Sequence, residues 1–76
     1  ALAYEAMKMG GNAPCILNAA NEVAVEAFLN DQVGFLQMSD ILEGCMAKVD
    51  FIKKPNYSDL VQTDTATRGL AKELIK

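Results

Sequence analysis

The run Gly10-Gly11-Asn12-Ala13-Pro14 constrains this chain more than any other. Two glycines in succession end a helix, because glycine takes the left-handed conformation past a helix end without a Cβ clash. Asn12 is suited to cap a following helix, and Pro14 to its first turn. A helix over Pro14–Asn30 follows, and its two sides differ in chemistry. Ile16, Ala20, Val23 and Ala27, flanked by Leu17, Ala24 and Phe28, make an apolar side. Asn18, Asn21, Glu22 and Val25 recur at helical spacing in a separate stripe. Two amides and a carboxylate beside an apolar face suggest hydrogen bonds to specific neighbouring backbone. Asn18, Asn21 and Glu22 are therefore the candidate structural or domain-interface residues.

The rest of the chain reads as further helices. A first helix covers Ala1–Met9, with Leu2, Ala6 and Met9 on one face. Asp31-Gln32-Val33-Gly34 reads as a turn, and Phe35–Met38 as a packed extended linker. Ser39 is a good cap for a third helix over Asp40–Val49, with Ile41, Leu42, Cys45, Met46 and Val49 inward. Gly44 costs that helix about 1 kcal/mol against alanine unless a neighbouring helix crosses close to it. Asp50–Asn56 reads as a loop, because Pro55 opposes a continued helix. Ser58 caps a short turn through Gln62 that buries Leu60 and Val61, and Asp64 caps a last helix over Thr65–Ile75. Its apolar side is Ala66, Leu70, Ala71, Leu74 and Ile75, and Asp64–Arg68 is an i, i+4 ion pair. The fold class is all-α: a compact bundle of four main helices with short connections.

Seventy-six residues make one domain at most. The apolar content is somewhat above that of an ordinary globular domain and fits a piece whose surface meets another domain. A net charge of −3 argues against nucleic-acid binding, which calls for a basic footprint. Cys15 and Cys45 read as buried, reduced thiols of a cytoplasmic protein. No apolar run reaches the ~20 residues of a membrane span, and no leader pattern is present. The chain opens on Ala1-Leu2-Ala3-Tyr4-Glu5, already helical in pattern and without a cap, which reads as a cut through a longer protein.

Catalytic chemistry finds no foothold. Glu22 and Glu26 with the two amides offer oxygen ligands for Mg²⁺, but no histidine and no second acidic motif completes a cage. Without histidine there is no base to activate Ser39, Ser58 or Cys15, and packing is the better reading of the thiol. Gly10–Pro14 matches neither phosphate-cradling glycine motif. Arg68, Lys72 and Lys76 read as a solvated basic stripe. No catalytic, cofactor-binding or metal-binding residue is assigned.

Several segments carry a family resemblance: Ala3-Tyr4-Glu5-Ala6, Gly10-Gly11, the run from Leu17-Asn18-Ala19-Ala20-Asn21-Glu22 to Phe28-Leu29, Ile41-Leu42, and Asp64-Thr65-Ala66-Thr67-Arg68. Through them the chain resembles, over nearly all its length, the C-terminal domain of the 1-deoxy-D-xylulose 5-phosphate reductoisomerase family. Phe51–Asn56 matches no family motif. The resemblance implies a homodimeric parent enzyme of the non-mevalonate isoprenoid route. That enzyme uses NADPH and a divalent metal (Mg²⁺, Mn²⁺ or Co²⁺) to make 2-C-methyl-D-erythritol 4-phosphate. It also implies that the cofactor and catalytic parts lie upstream, so that the 76 residues alone are inactive and partner the missing domains of their own subunit. Detached, the chain is expected to self-associate through its first helix and the apolar edge of its second. The rival reading is a free-standing helical module that binds a partner helix in an apolar groove.

Overall fold

The computed structural model describes residues 2–75, and they form four helices: α1 (Leu2–Met9), α2 (Ala13–Leu29), α3 (Phe35–Lys48) and α4 (Tyr57–Leu74). No strand occurs among the described residues. Ala1 and Lys76, assigned above to the first helix and the basic stripe, lie outside them.

Helix α2 is the centre of the bundle, and α1, α3 and α4 all pack on it. Its buried face is Ala13, Ile16, Ala19, Ala20, Val23, Ala24 and Ala27. Alanines at most of these positions let neighbouring backbones approach closely. The face meets Ile41 and Cys45 of α3, Ala71 of α4 and Val33 of the α2–α3 turn in one core. Leu42, Met46, Val49, Leu70, Leu74 and Ile75 close over it. The inward stripe expected for the third helix is thus observed. The expectation for Gly44 holds as well: a Cβ there would lie 2.9 Å from Leu74 Cδ1 of α4.

The Gly10-Gly11 turn works as the sequence suggests. Both residues have positive φ, +71° and +56°. Gly11 has a second reason to be glycine, since a Cβ would strike the Ile52 carbonyl oxygen. Helix α2 ends in a Schellman motif. The Asp31 N–H donates to Phe28 O at 3.1 Å and the Gln32 N–H to Ala27 O at 2.8 Å. Asp31 itself sits at φ +60°, a conformation that short polar side chains tolerate better than most.

Two helix starts differ from the sequence reading. Helix α3 begins at Phe35, so Phe35–Met38 is helical and Ser39 is an interior residue. The start is fixed at Gly34, whose N–H donates to Gln37 Oε1 at 2.6 Å while its carbonyl accepts from the Gln37 N–H at 3.1 Å. Helix α4 begins at Tyr57 and runs unbroken, so Ser58 and Asp64 are also interior. Its cap is a reciprocal pair: the Asp59 N–H donates to Asn56 Oδ1 at 2.7 Å, and the Asn56 N–H to Asp59 Oδ2 at 3.1 Å. One continuous α4 turns Thr63 and Thr67 inward and leaves Ala66 and Val61 exposed, against the expected assignment of those two. On α1 only Ala6 is buried; Leu2 is half-buried and Met9 is half-exposed.

Candidate docking face and buried clamp

Asn12 was expected to cap α2. It occupies the N-cap position, but its side chain makes no cap hydrogen bond. It is completely buried and spends its amide on the far end of the chain. Nδ2 donates to the Asp50 carbonyl at 2.9 Å and to Thr63 Oγ1 at 2.9 Å, while Oδ1 accepts from the Ile52 N–H at 2.8 Å. The Asn12 backbone N–H donates to Ile52 O at 3.0 Å. Asn12 therefore clamps the α3–α4 loop to the start of α2 and to α4. The sequence carries only a faint sign of this: a polar residue wedged between a glycine turn and an apolar helix.

The stripe on α2 behaves differently. Asn18, Asn21 and Glu22 are all exposed. The expected hydrogen bonds from Asn18 and Asn21 to backbone outside their own helix are not made within these residues. Asn18 Nδ2 donates to Glu22 Oε2 at 3.3 Å, one turn along the same helix. Asn21 has no side-chain partner among the described residues. Glu22 Oε1 accepts from an Arg68 terminal nitrogen at 2.9 Å, and Arg68 Nε donates to Asp64 Oδ2 at 2.9 Å. The Asp64–Arg68 pair is thus as expected. Arg68, however, is no free cation on a solvated stripe but a tie between α4 and α2. The hydrogen bonds to Asp64 and then to Glu22 hold its proton more firmly than usual. Two segments far apart in sequence, Asn18–Glu22 and Asp64–Arg68, so form one surface network.

This stripe separates two grooves. On one side Asn21, Glu22, Val25, Glu26, Arg68 and Lys72 line a groove of mixed polarity between α2 and α4. On the other, an apolar groove of about 380 Å³ lies between α1 and α2, with Leu2, Ala6, Met7, Pro14, Leu17 and Leu42 along it and Asn18 and Asn21 at its edge.

These residues do not fit a divalent metal or a dinucleotide phosphate. The Glu22 carboxylate is already engaged by Arg68 and Asn18. No group of three or more histidine, cysteine, aspartate or glutamate side chains is gathered for a metal among the described residues. At the start of α2, the Asn12 and Ala13 N–H groups are bonded to Ile52 O and Gly10 O rather than free to cradle an anion. Both thiols are unpaired. Cys45 is buried, and burial pushes its thiol pKa up. Cys15 is half-buried and donates to Leu60 O at 3.6 Å; burial, then the Asp64 charge, raises its pKa also. A thiol held protonated is a packing group, as the sequence reading preferred. No described helix is long and apolar enough to cross a membrane.

Fold and surface together define a helical domain whose polar chemistry serves structure and contact. Residues 1–70 match the family described as the DXP reductoisomerase C-terminal domain, and the chain belongs to that family. It is 57% identical over 75 residues to a 1-deoxy-D-xylulose 5-phosphate reductoisomerase of Bacteroides fragilis, covering 99% of this chain and 19% of that protein. A Phocaeicola vulgatus enzyme of the same name is 56% identical over 75 residues, covering 99% of this chain and 20% of the relative. One from Bacillus cereus (strain AH187) is 47% identical over 73 residues, covering 96% and 19%. The chain spans about a fifth of the length of these relatives.

Proposed function

We propose that this chain is the C-terminal structural domain of a 1-deoxy-D-xylulose 5-phosphate reductoisomerase. Such an enzyme rearranges the carbon skeleton of its substrate and reduces the product with NADPH to 2-C-methyl-D-erythritol 4-phosphate, in cytoplasmic isoprenoid biosynthesis. The observation that carries this reading is 57% identity across 99% of the chain to an enzyme of that name. The same comparison favours a domain of a larger enzyme over a free-standing interaction module. NADPH and the divalent metal are assigned to the remainder of the parent, because the residues described here offer no seat for either. What this domain contributes is a rigid block, clamped at Asn12, whose stripe Asn18, Asn21 and Glu22 faces the rest of the subunit in a homodimeric parent. Detached, the uncovered α1–α2 surface draws two copies of the chain together in a contact the parent does not use.

The test is NADPH oxidation in the presence of 1-deoxy-D-xylulose 5-phosphate and Mg²⁺. The parent protein is expected to turn over, and the 76-residue chain to stay at background. Turnover by the chain alone, or none by the parent, would overturn the proposal. Light scattering over a concentration series reads the self-association; a strictly monomeric mass throughout would remove that part.

A further inference from the structure

The edge of the α1–α2 groove combines features that a plain solvent face does not need. Its lining is apolar, with Leu17 and Leu42 half-buried and Met7 72% exposed. Its lip carries two carboxamides with unused bonding capacity. Asn18 is steadied by Glu22, which Arg68 holds in turn, and this leaves the Asn18 Oδ1 without a partner among the described residues. Asn21 has both ends of its amide in that state. A carboxamide presents a donor and an acceptor side by side, the same pair that a peptide backbone presents.

We propose that this groove seats a non-helical, apolar segment from the remainder of the parent subunit, with its backbone N–H and C=O groups bonded by Asn18 and Asn21. This rests on the reading of the chain as one domain of a larger enzyme. A helix is a poor occupant, because its backbone groups are bonded internally except at its ends, and both amides would stay idle against it. An extended segment leaves its backbone groups free and sends alternate side chains towards an apolar floor. The source of the segment follows from length: four-fifths of the Bacteroides fragilis relative lies outside the matched region. Glu22 and Arg68 act here as positioning residues, since they reach the occupant only through Asn18.

Photo-cross-linking in the full-length parent tests this. Asn21→p-benzoylphenylalanine is expected to cross-link within the subunit to one peptide outside residues 1–76. The same probe at exposed Lys54, on the α3–α4 loop, should not reach that peptide. Met7→Glu, which sets a charge in the groove, should abolish the cross-link. Asn21→Ala should speed hydrogen exchange in that same peptide. Cross-links to a second copy, no cross-link from position 21, or a yield unchanged by Met7→Glu would each overturn the proposal. A parent that shows no substrate-dependent NADPH oxidation would sink the functional reading instead, and leaves the cross-link map to be judged by itself.

Discussion

Asn12 and Asn21 carry the same carboxamide on the same helical segment, and the fold treats them in opposite ways. Asn12 is withdrawn from water and bonded three times over to residues 50, 52 and 63. Asn21 stands in solvent with no partner among the described residues. A buried amide is tolerable only when its hydrogen bonds are made, so Asn12 specifies one arrangement of the chain. An exposed amide costs nothing to leave open, and so is available to a partner. The first region holds the domain together; the second, in the proposal above, is where it meets the rest of its subunit.

The sharpest way to break this contrast is Asn12→Ala. It strands the buried Thr63 hydroxyl and the part-buried Ile52 N–H and Asp50 carbonyl, for a loss of roughly 2–4 kcal/mol: ~1–3 kcal/mol for the buried group and less for the two that water can partly reach. Urea unfolding reads it, and a loss below about 1 kcal/mol would mean that the clamp is ornamental. Asn12→Asp should not rescue the clamp. It keeps the acceptor for Ile52 but turns a buried carboxylate towards the Asp50 carbonyl. Gly11→Ala attacks the same seam from the backbone. The residue is left-handed, which costs a side chain about 1–2 kcal/mol, and the new Cβ strikes the Ile52 carbonyl, a backbone clash of about 1–3 kcal/mol more, so a total of roughly 2–5 kcal/mol is expected. Gly10→Ala has open space around its Cβ and should show the conformational cost alone.

How much of this was legible in the sequence follows from how local each signal is. The glycine stop, the α2 apolar face and the Asp64–Arg68 pair are set by neighbours within a turn or two, and the structure keeps them. Two helix starts differ between sequence and structure because Ser39, Ser58 and Asp64 are each good caps when taken singly. Gly34–Gln37 and Asn56–Asp59 cap better because each pair bonds in both directions. That spacing of three is visible in the sequence. The Asn12–Ile52 and Glu22–Arg68 contacts are another matter, joining residues 40 and 46 positions apart. No periodicity in a single sequence encodes such a pairing. The unusual polarity of α2 was visible, and its partners on α4 were not.

Thr67 sharpens the comparison from a third side. It is fully buried like Asn12, yet its hydroxyl has no hydrogen-bond partner among the described residues, like Asn21. If partners decide whether a buried polar group helps the fold, Thr67→Val should be neutral to stabilising, by up to about 1 kcal/mol, because it removes an unpaired hydroxyl and keeps the branched shape. A melt of this variant beside the parent sequence reads the sign. A clear destabilisation would show that the hydroxyl is bonded in solution, as by a buried water.

The smallest effect on the chain itself belongs to Asn21→Ala. An exposed side chain that touches no neighbour contributes nothing to its own fold, and alanine favours the helix interior by a few tenths of a kcal/mol, so the stability of the isolated domain should stay within about ±0.5 kcal/mol. If the groove is occupied in the full-length parent as proposed, the same substitution removes a bond to the occupant, and the loss should rise towards 1 kcal/mol or more. The difference between the two measurements is the quantity of interest, and Asn12→Ala supplies the control: its cost is internal to the domain and should be similar in both settings. A null result for Asn21→Ala in the parent as well as in the domain would make the amide an idle surface residue, and the division of labour between the two asparagines would lose its second half.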